Sequence, residues 1–235
     1  MQIAACETCA VRVPGAICDV SRQAEDDFRA VATNIRLKPH QMVFAEGTPS
    51  TGLYLVCHGS VKLYQSHHLG RDHILEIVGP GEVLGEFGIG QVRPFSASAK
   101  TLEETHLAFI PRARLEWFLR LYPDTAIRLI DALNRDLARA RRKARDLALE
   151  GAETRLASLL LQWVGSGNGH PLDARIRLRY GRQEIAEMIG VSTETAIRLL
   201  AGLKAKGIIT IRRRDIAIRD VVWLRRIASS DKGGV

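Results

Sequence analysis

The stretch RQEIAEMIGVSTETAIRLLAGLKAK, residues 182–206, carries two helical repeats separated by a glycine. Ile185, Ala186 and Ile189 keep helical spacing up to Gly190, where a residue without a Cβ lets the chain turn sharply. Ser192 then offers an N-cap oxygen to a second helix. That helix has an apolar stripe of Ala196, Leu199, Leu200 and Leu203, which leaves Thr193, Glu194, Ile197 and Arg198 on the opposite side near its start. The pattern reads as a helix-turn-helix, whose second helix reaches base edges in the major groove from those positions. An arginine can donate twice to guanine, a glutamate can accept from cytosine N4, and Ile197 can pack on a thymine methyl.

An ordinary helical hairpin shows the same spacing, so the residues that follow matter. Gly207 supplies a helix stop, and residues 208–218, IITIRRRDIAI, alternate as two short strands around a charged turn. This predicts a winged helix-turn-helix with a basic wing. Arg182, Gln183, Ser192, Lys204 and Arg213 fall where contacts to DNA phosphates would fix register without reading sequence.

Charge supports the same half of the chain. Of 34 Lys+Arg and 26 Asp+Glu in 235 residues, residues 151–235 hold 15 and 8, so the net +8 belongs largely to the segment with the helix-turn-helix. No apolar run approaches the roughly 18 residues that a membrane span needs. Ile3-Ala4-Ala5-Cys6 has the look of a lipoprotein cleavage box, yet only five residues precede the cysteine. A cytoplasmic chain without membrane contact is therefore expected. No nucleophile–base pair or general-acid constellation falls on a motif-like segment, so an enzyme is not expected.

Residues 35–110 are organised differently. QMVF (41–44), LYLVC (53–57), VKLY (61–64), HILEIV (73–78) and HLAFI (106–110) have the length and the β-branched or aromatic content of strands. Glu46-Gly47, His58-Gly59, Leu69-Gly70-Arg71-Asp72 and Gly79-Pro80-Gly81-Glu82 are turn chemistry between them, which predicts a compact β-barrel or roll.

The order FAEG (44–47), LYLV (53–56), GSVKL (59–63), PGEVLGE (80–86) and PFSASA (94–99), then a long helix and the winged helix, resembles the family of the cyclic-AMP receptor protein and the fumarate-nitrate-reduction regulator. The resemblance covers nearly the whole chain. It implies an α+β fold with an N-terminal cyclic-nucleotide-binding-type β-roll, a long dimerisation helix and a C-terminal winged helix-turn-helix. It also implies a homodimeric bacterial transcription regulator that binds palindromic double-stranded DNA, contacts RNA polymerase and reads half-sites through a Glu-x-x-x-Arg pair, here Glu194 and Arg198. The expected divisions are a cysteine-rich leader (1–20), a sensor roll (21–121), the helix (122–150) and the DNA-binding domain (151–235).

The helix pattern also points to a dimer. From about Asp124 to Glu150 the chain is helical, and Ile130, Leu133, Leu137, Ala140, Ala144 and Leu147 alternate spacings of three and four, the seam of a coiled coil. A helix laid on its own roll is the competing reading, but the seam is narrow and turns to alanine, which permits close approach of a second helix. The charged run Arg135 to Arg145, with Asp131, Asp136 and Asp146, reads as a solvated face.

Cys6, Cys9 and Cys18 fall close together in the leader, and Cys57 stands alone in a strand. Thiolates so clustered in a reducing compartment suggest soft metal ligation more than disulfides. Three cysteines with a fourth brought by the fold could hold an iron–sulfur cluster. The arrangement resembles the oxygen-sensing branch of the family, which implies a [4Fe-4S] cluster as cofactor. Two departures stand against it: the spacing is Cys-x2-Cys-x8-Cys, and Ala108 occupies the place before Phe109-Ile110-Pro111 where those relatives carry a cysteine. A zinc site, a thiol switch or no metal at all stay open.

A ligand in the roll is the other expectation. In nucleotide-binding relatives a glutamate after glycine takes the ribose and an arginine takes the cyclic phosphate, which falls here on Glu86 and Arg93. Arg93 is followed by Pro94 and Phe95, a residue without a backbone N–H and a bulky aromatic, which compromises a phosphate cradle. His67, His68 and His73 flank a turn, and nothing fixes an axial pair for haem.

Overall fold

A computed structural model describes residues 16–66, 72–85, 92–165, 175–177, 180–212 and 215–230. Cys6, Cys9, Glu86, Arg213, His67 and His68, singled out above, lie outside the described residues. The chain forms two compact units that divide between Arg139 and Ala140.

The first unit begins with helix α1 (Arg22–Val31) and continues through strands β1 (Thr33–Leu37), β2 (Met42–Phe44), β3 (Gly52–His58), β4 (Val61–Ser66), β5 (Asp72–Val78), β6 (Val83–Leu84), β7 (Ser98–Thr101) and β8 (Thr105–Pro111). Helix α2 (Arg112–Leu121) and the long helix α3 (Pro123–Leu149) follow. The strands pair antiparallel in two four-stranded sheets, of order β1-β8-β3-β6 and β2-β7-β4-β5. This is the expected β-roll.

Period-two alternation explains how β3 serves two cores. Leu53 and Leu55 enter a cluster with Phe28, Leu115 and Phe118 on the helix side. Tyr54 and Val56 face Phe44, Val61, Leu84 and Leu107 between the sheets. Strand β8 divides likewise, with Leu107 between the sheets and Ala108 and Ile110 toward the helices. Phe28 and Phe118 meet edge-to-face at 5.5 Å between ring centroids, which locks α1 to α2. Ser21 caps α1 by accepting from the Ala24 amide, and Glu25 pairs with Arg29 one turn on.

Helix α3 starts on the same unit. Tyr122 Oη donates to Asp27 Oδ2 at 2.6 Å, Arg128 donates to the carbonyl of Asp19, and Thr125 and Leu129 are buried. No helix among the described residues is long and apolar enough to cross a membrane.

The second unit holds α4 (Ala152–Gly165), β9 (Arg175–Arg177), α5 (Arg182–Ile189), α6 (Thr193–Ala205), β10 (Ile209–Arg212), β11 (Asp215–Ile218) and α7 (Val221–Ser230). Strands β10, β11 and β9 form an antiparallel sheet, the wing foreseen from the alternation of residues 208–218 plus one further strand. Leu156, Leu160, Ile185, Leu200, Leu203, Ile209, Ile216 and Leu224 share one core.

The turn between α5 and α6 depends on one conformation. Gly190 sits at φ +67°, ψ +46°, and the amide of Val191 donates to the Ala186 carbonyl, closing the end of α5. An L-residue is disfavoured there by about 1–2 kcal/mol. Gly190→Ala is therefore expected to lower the thermal midpoint of this unit while leaving the DNA specificity of the folded fraction unchanged. Calorimetry alongside binding on cognate and scrambled DNA checks both halves; an altered sequence preference would show that Gly190 does more than turn the chain.

Candidate nucleic-acid interface and sensor roll

The helix-turn-helix is built from the inside outward. Ala196, Leu200 and Leu203 are fully buried and Leu199 is half-buried, so the predicted stripe fixes the roll angle of α6. Ser192 Oγ accepts from the Thr195 amide at 3.2 Å and starts the helix. With the stripe inward, Glu194, Ile197 and Arg198 are exposed and Thr193 is half-buried. Ile197 is 49% exposed, so its apolar side chain is open to a thymine methyl in the groove.

The residues expected to meet phosphates are placed unequally. Lys204 is exposed and Arg182 half-buried. Gln183 is exposed, but its amide donates to Glu187 Oε1 at 2.9 Å, and the Ser192 hydroxyl donates to Thr195 Oγ1 at 3.1 Å in addition to capping α6. The partial positive charge at the N-terminus of α6 adds to the attraction for phosphate.

Two supporting residues were not foreseen. Arg155 Nε donates to the carbonyl of Ile189 at 2.8 Å, and the same guanidinium donates to the carbonyl of Glu150. It thus neutralises the C-terminus of α5 beside the turn and holds that turn to the chain just after α3. Lys206 pairs with Glu153 at 2.9 Å and lies 4.9 Å from the centre of the Trp223 ring, which ties α6 to α4 and α7. Neither arrangement has a local sequence signal, because the partners are distant in the chain.

On α3 the predicted seam is exposed among the described residues. Ile130, Leu133, Leu137 and Leu147 are 56%, 42%, 47% and 37% exposed, and Ala140 and Ala144 are exposed as well. The neighbouring charged run departs from the expectation of a wholly solvated face. Arg135, Arg141 and Arg142 are exposed, but Arg139 is turned onto the roll. Its Nε donates to Glu76 Oε1 at 2.6 Å, and its Nη2 lies 2.6 Å from Asp136 Oδ1 and 3.2 Å from Glu82 Oε1. Burial raises the carboxyls of Glu76 and Asp136 above the ordinary range, with Arg139 pulling both back.

In the sensor roll, Cys18 and Cys57 are both half-buried and both pack against the helix-side core. Ala108, where a fourth cysteine was sought, is buried in that same core. Among the described residues no group of three or more His, Cys, Asp or Glu side chains is placed to hold a metal ion, and Cys6 and Cys9 lie outside them. Arg93 is exposed. The segment around it is strapped to residues 47–50: the Ser50 amide donates to the Arg93 carbonyl, and Phe95 exchanges backbone bonds with Gly47 and Thr48. These bonds aim Phe95 inward, where it stacks on Phe44 at 3.8 Å and lies against Gly85.

Comparison with known proteins agrees with this architecture. Residues 34–122 match the model of the cyclic nucleotide-binding domain, and residues 154–227 match that of the Crp-like helix-turn-helix domain. The chain is 32% identical over 189 residues to the CRP-like cAMP-activated global transcriptional regulator of Mycobacterium tuberculosis, covering 79% of this chain and 84% of that one. It is 32% identical over 194 residues to the cyclic AMP receptor protein of Thermus thermophilus, covering 82% and 87%. Among solved structures, the c-di-GMP responsive global regulator CLP of Xanthomonas campestris superposes with a TM-score of 0.73 at 28% identity, covering 85% of this chain and 100% of that one.

Proposed function

We propose a function from one premise: the chain belongs to the Crp/Fnr family of DNA-binding transcription regulators, not of enzymes. The finer reading is a homodimer paired along Ile130, Leu133, Leu137, Ala140, Ala144 and Leu147, which presents two α6 helices to successive major grooves about 34 Å apart. The observation that carries it is the exposed set Glu194, Ile197 and Arg198 on the face opposite buried Ala196, Leu200 and Leu203. Glu194 and Arg198 are the base readers, Thr193 and Ile197 flank them, and Arg182, Gln183, Lys204 and Arg213 hold the backbone. An activating member would also touch RNA polymerase.

For the sensor, the reading is a redox response through Cys6, Cys9, Cys18 and Cys57. Supporting it, Cys18 and Cys57 both pack against the helix-side core although 39 positions separate them in the sequence. A [4Fe-4S] cluster held by these cysteines as thiolates would supply an oxygen-labile centre. Protein purified without oxygen is expected to show broad visible absorption with stoichiometric iron and sulfide. Air should bleach it and weaken DNA binding together. Colourless, iron-free protein that binds DNA equally in both conditions would remove the cluster and leave thiol chemistry or zinc.

A second reading, a cyclic nucleotide in the roll, is favoured by the cAMP-binding names of the relatives at 32% identity. Against it, Phe95 fills the roll interior beside Gly85 while Arg93 points to solvent. Titration with cyclic AMP and cyclic di-GMP, with DNA affinity as readout, separates the two.

A further inference from the structure

Arg139 is the last residue of the first compact unit, and the next residue, Ala140, opens the second. Helix α3 runs through that boundary without a break, from Pro123 to Leu149. Whatever fixes α3 at Arg139 therefore acts on the helix that joins the two units.

Two carboxylates of the roll fix it, and a third on the helix braces the guanidinium. Glu76 comes from β5, Glu82 from the turn before β6, and Asp136 from α3 itself, one turn back. The turn is in its own right held to the roll: Glu82 Oε2 accepts from the Gly79 amide at 2.9 Å, the Val56 amide donates to the Glu82 carbonyl, and the Gly81 amide donates to the Val56 carbonyl. Glu82 is thereby bonded to β3, the strand that also carries Cys57, and its carboxylate is bonded to α3. The guanidinium fork is suited to this, since it engages several oxygens in one plane, which a lysine ammonium cannot do. Glu76, Glu82 and Asp136 share the Arg139 guanidinium, with Arg135 acting on Asp136 as well, so loss of Arg139 removes the cation bonded to both the roll carboxylates and the helix.

We propose that Arg139 is a positioning residue for DNA reading: by clasping Glu76 and Glu82 it anchors α3 at the unit boundary and so presets the spacing of the two reading helices in the dimer. This rests on the dimeric reading given above. Presetting lowers the ordering that two-site binding requires, and it has no bearing on the fit of one helix in one groove.

The test follows from that difference. A palindrome is first selected from a random DNA pool with the wild-type protein, and a second duplex is made with one half-site scrambled. Arg139→Gln is expected to bind the palindrome about tenfold more weakly, within the range usual for coupling between sites. It should bind the scrambled duplex as wild type does and stay dimeric in sedimentation. Arg139→Lys, which keeps the charge without the fork, should recover part of the loss. Glu82→Gln, which leaves the Glu76 pair in place, should show a smaller loss of the same kind and serves if Arg139→Gln does not fold. Equal palindrome affinity in wild type and variants, or equal loss on both duplexes, would overturn the clasp alone. A wild type that does not prefer the palindrome would overturn the dimeric reading and the clasp with it.

Discussion

Leu137→Asp is expected to leave both units folded and to turn the protein into a monomer in sedimentation, with affinity for a two-half-site duplex lower by about 10²-fold or more. The folding half follows from exposure: Leu137 is 47% exposed in the single chain, so the carboxylate meets solvent, not a core, unless a second helix covers it. The binding half follows from geometry. Two readers joined in one dimer would bind the second half-site at high effective concentration, and a monomer loses that advantage with no base contact altered. Residual binding to a single half-site should remain. Monomeric wild-type protein at the same concentration, or a dimeric Leu137→Asp variant, would show that the seam of α3 does something other than pair. Aspartate is the informative substitution because a buried unpaired charge is strongly disfavoured, whereas alanine would only thin a contact that Ala140 and Ala144 already make thin.

The helix-turn-helix was legible because its signals are local. Gly190, Ser192 and the spacing of Ala196, Leu200 and Leu203 each act within one or two turns, and each does in the fold what its chemistry predicts. Strands β2, β3, β4, β5 and β8 of the roll were legible for a similar reason. Strands β1 and β7 were not: TNIRL and SAKT have little strand character of their own, and they are extended because β8 and β4 pair with them. Phe95 was legible as an obstacle to a phosphate cradle, but its stacking on Phe44 belongs to the folded roll. Arg139 was read as one more solvated charge in a run. Its partners Glu76 and Glu82 lie more than 50 positions away, in a different sheet and turn, so no helical periodicity could report them. Arg155 escaped for the same reason, since Ile189 is 34 residues on.

Arg198→Ala is expected to cost about 1–3 kcal/mol on the selected palindrome and to relax the preference at one G·C pair in each half-site, with other positions unchanged. The side chain is exposed on α6, one turn after Glu194 and on the face opposite Ala196 and Leu200, so its removal leaves no cavity and the fold should keep its stability. Two donors of one guanidinium match the two acceptors on a guanine edge, and alanine offers neither, so the loss is confined to the base that the pair reads. A phosphate contact behaves differently. Lys204→Ala should weaken cognate and random DNA by similar factors and reduce the salt dependence of binding by about one unit of slope. Binding the single variant Arg198→Ala to a panel of duplexes substituted one base pair at a time distinguishes these cases. Equal loss on cognate and random DNA would place Arg198 on the backbone and move base reading to Glu194 and Ile197; loss at one G·C pair alone would keep Arg198 as the reader, and the position of that pair would give the register of α6 in the groove.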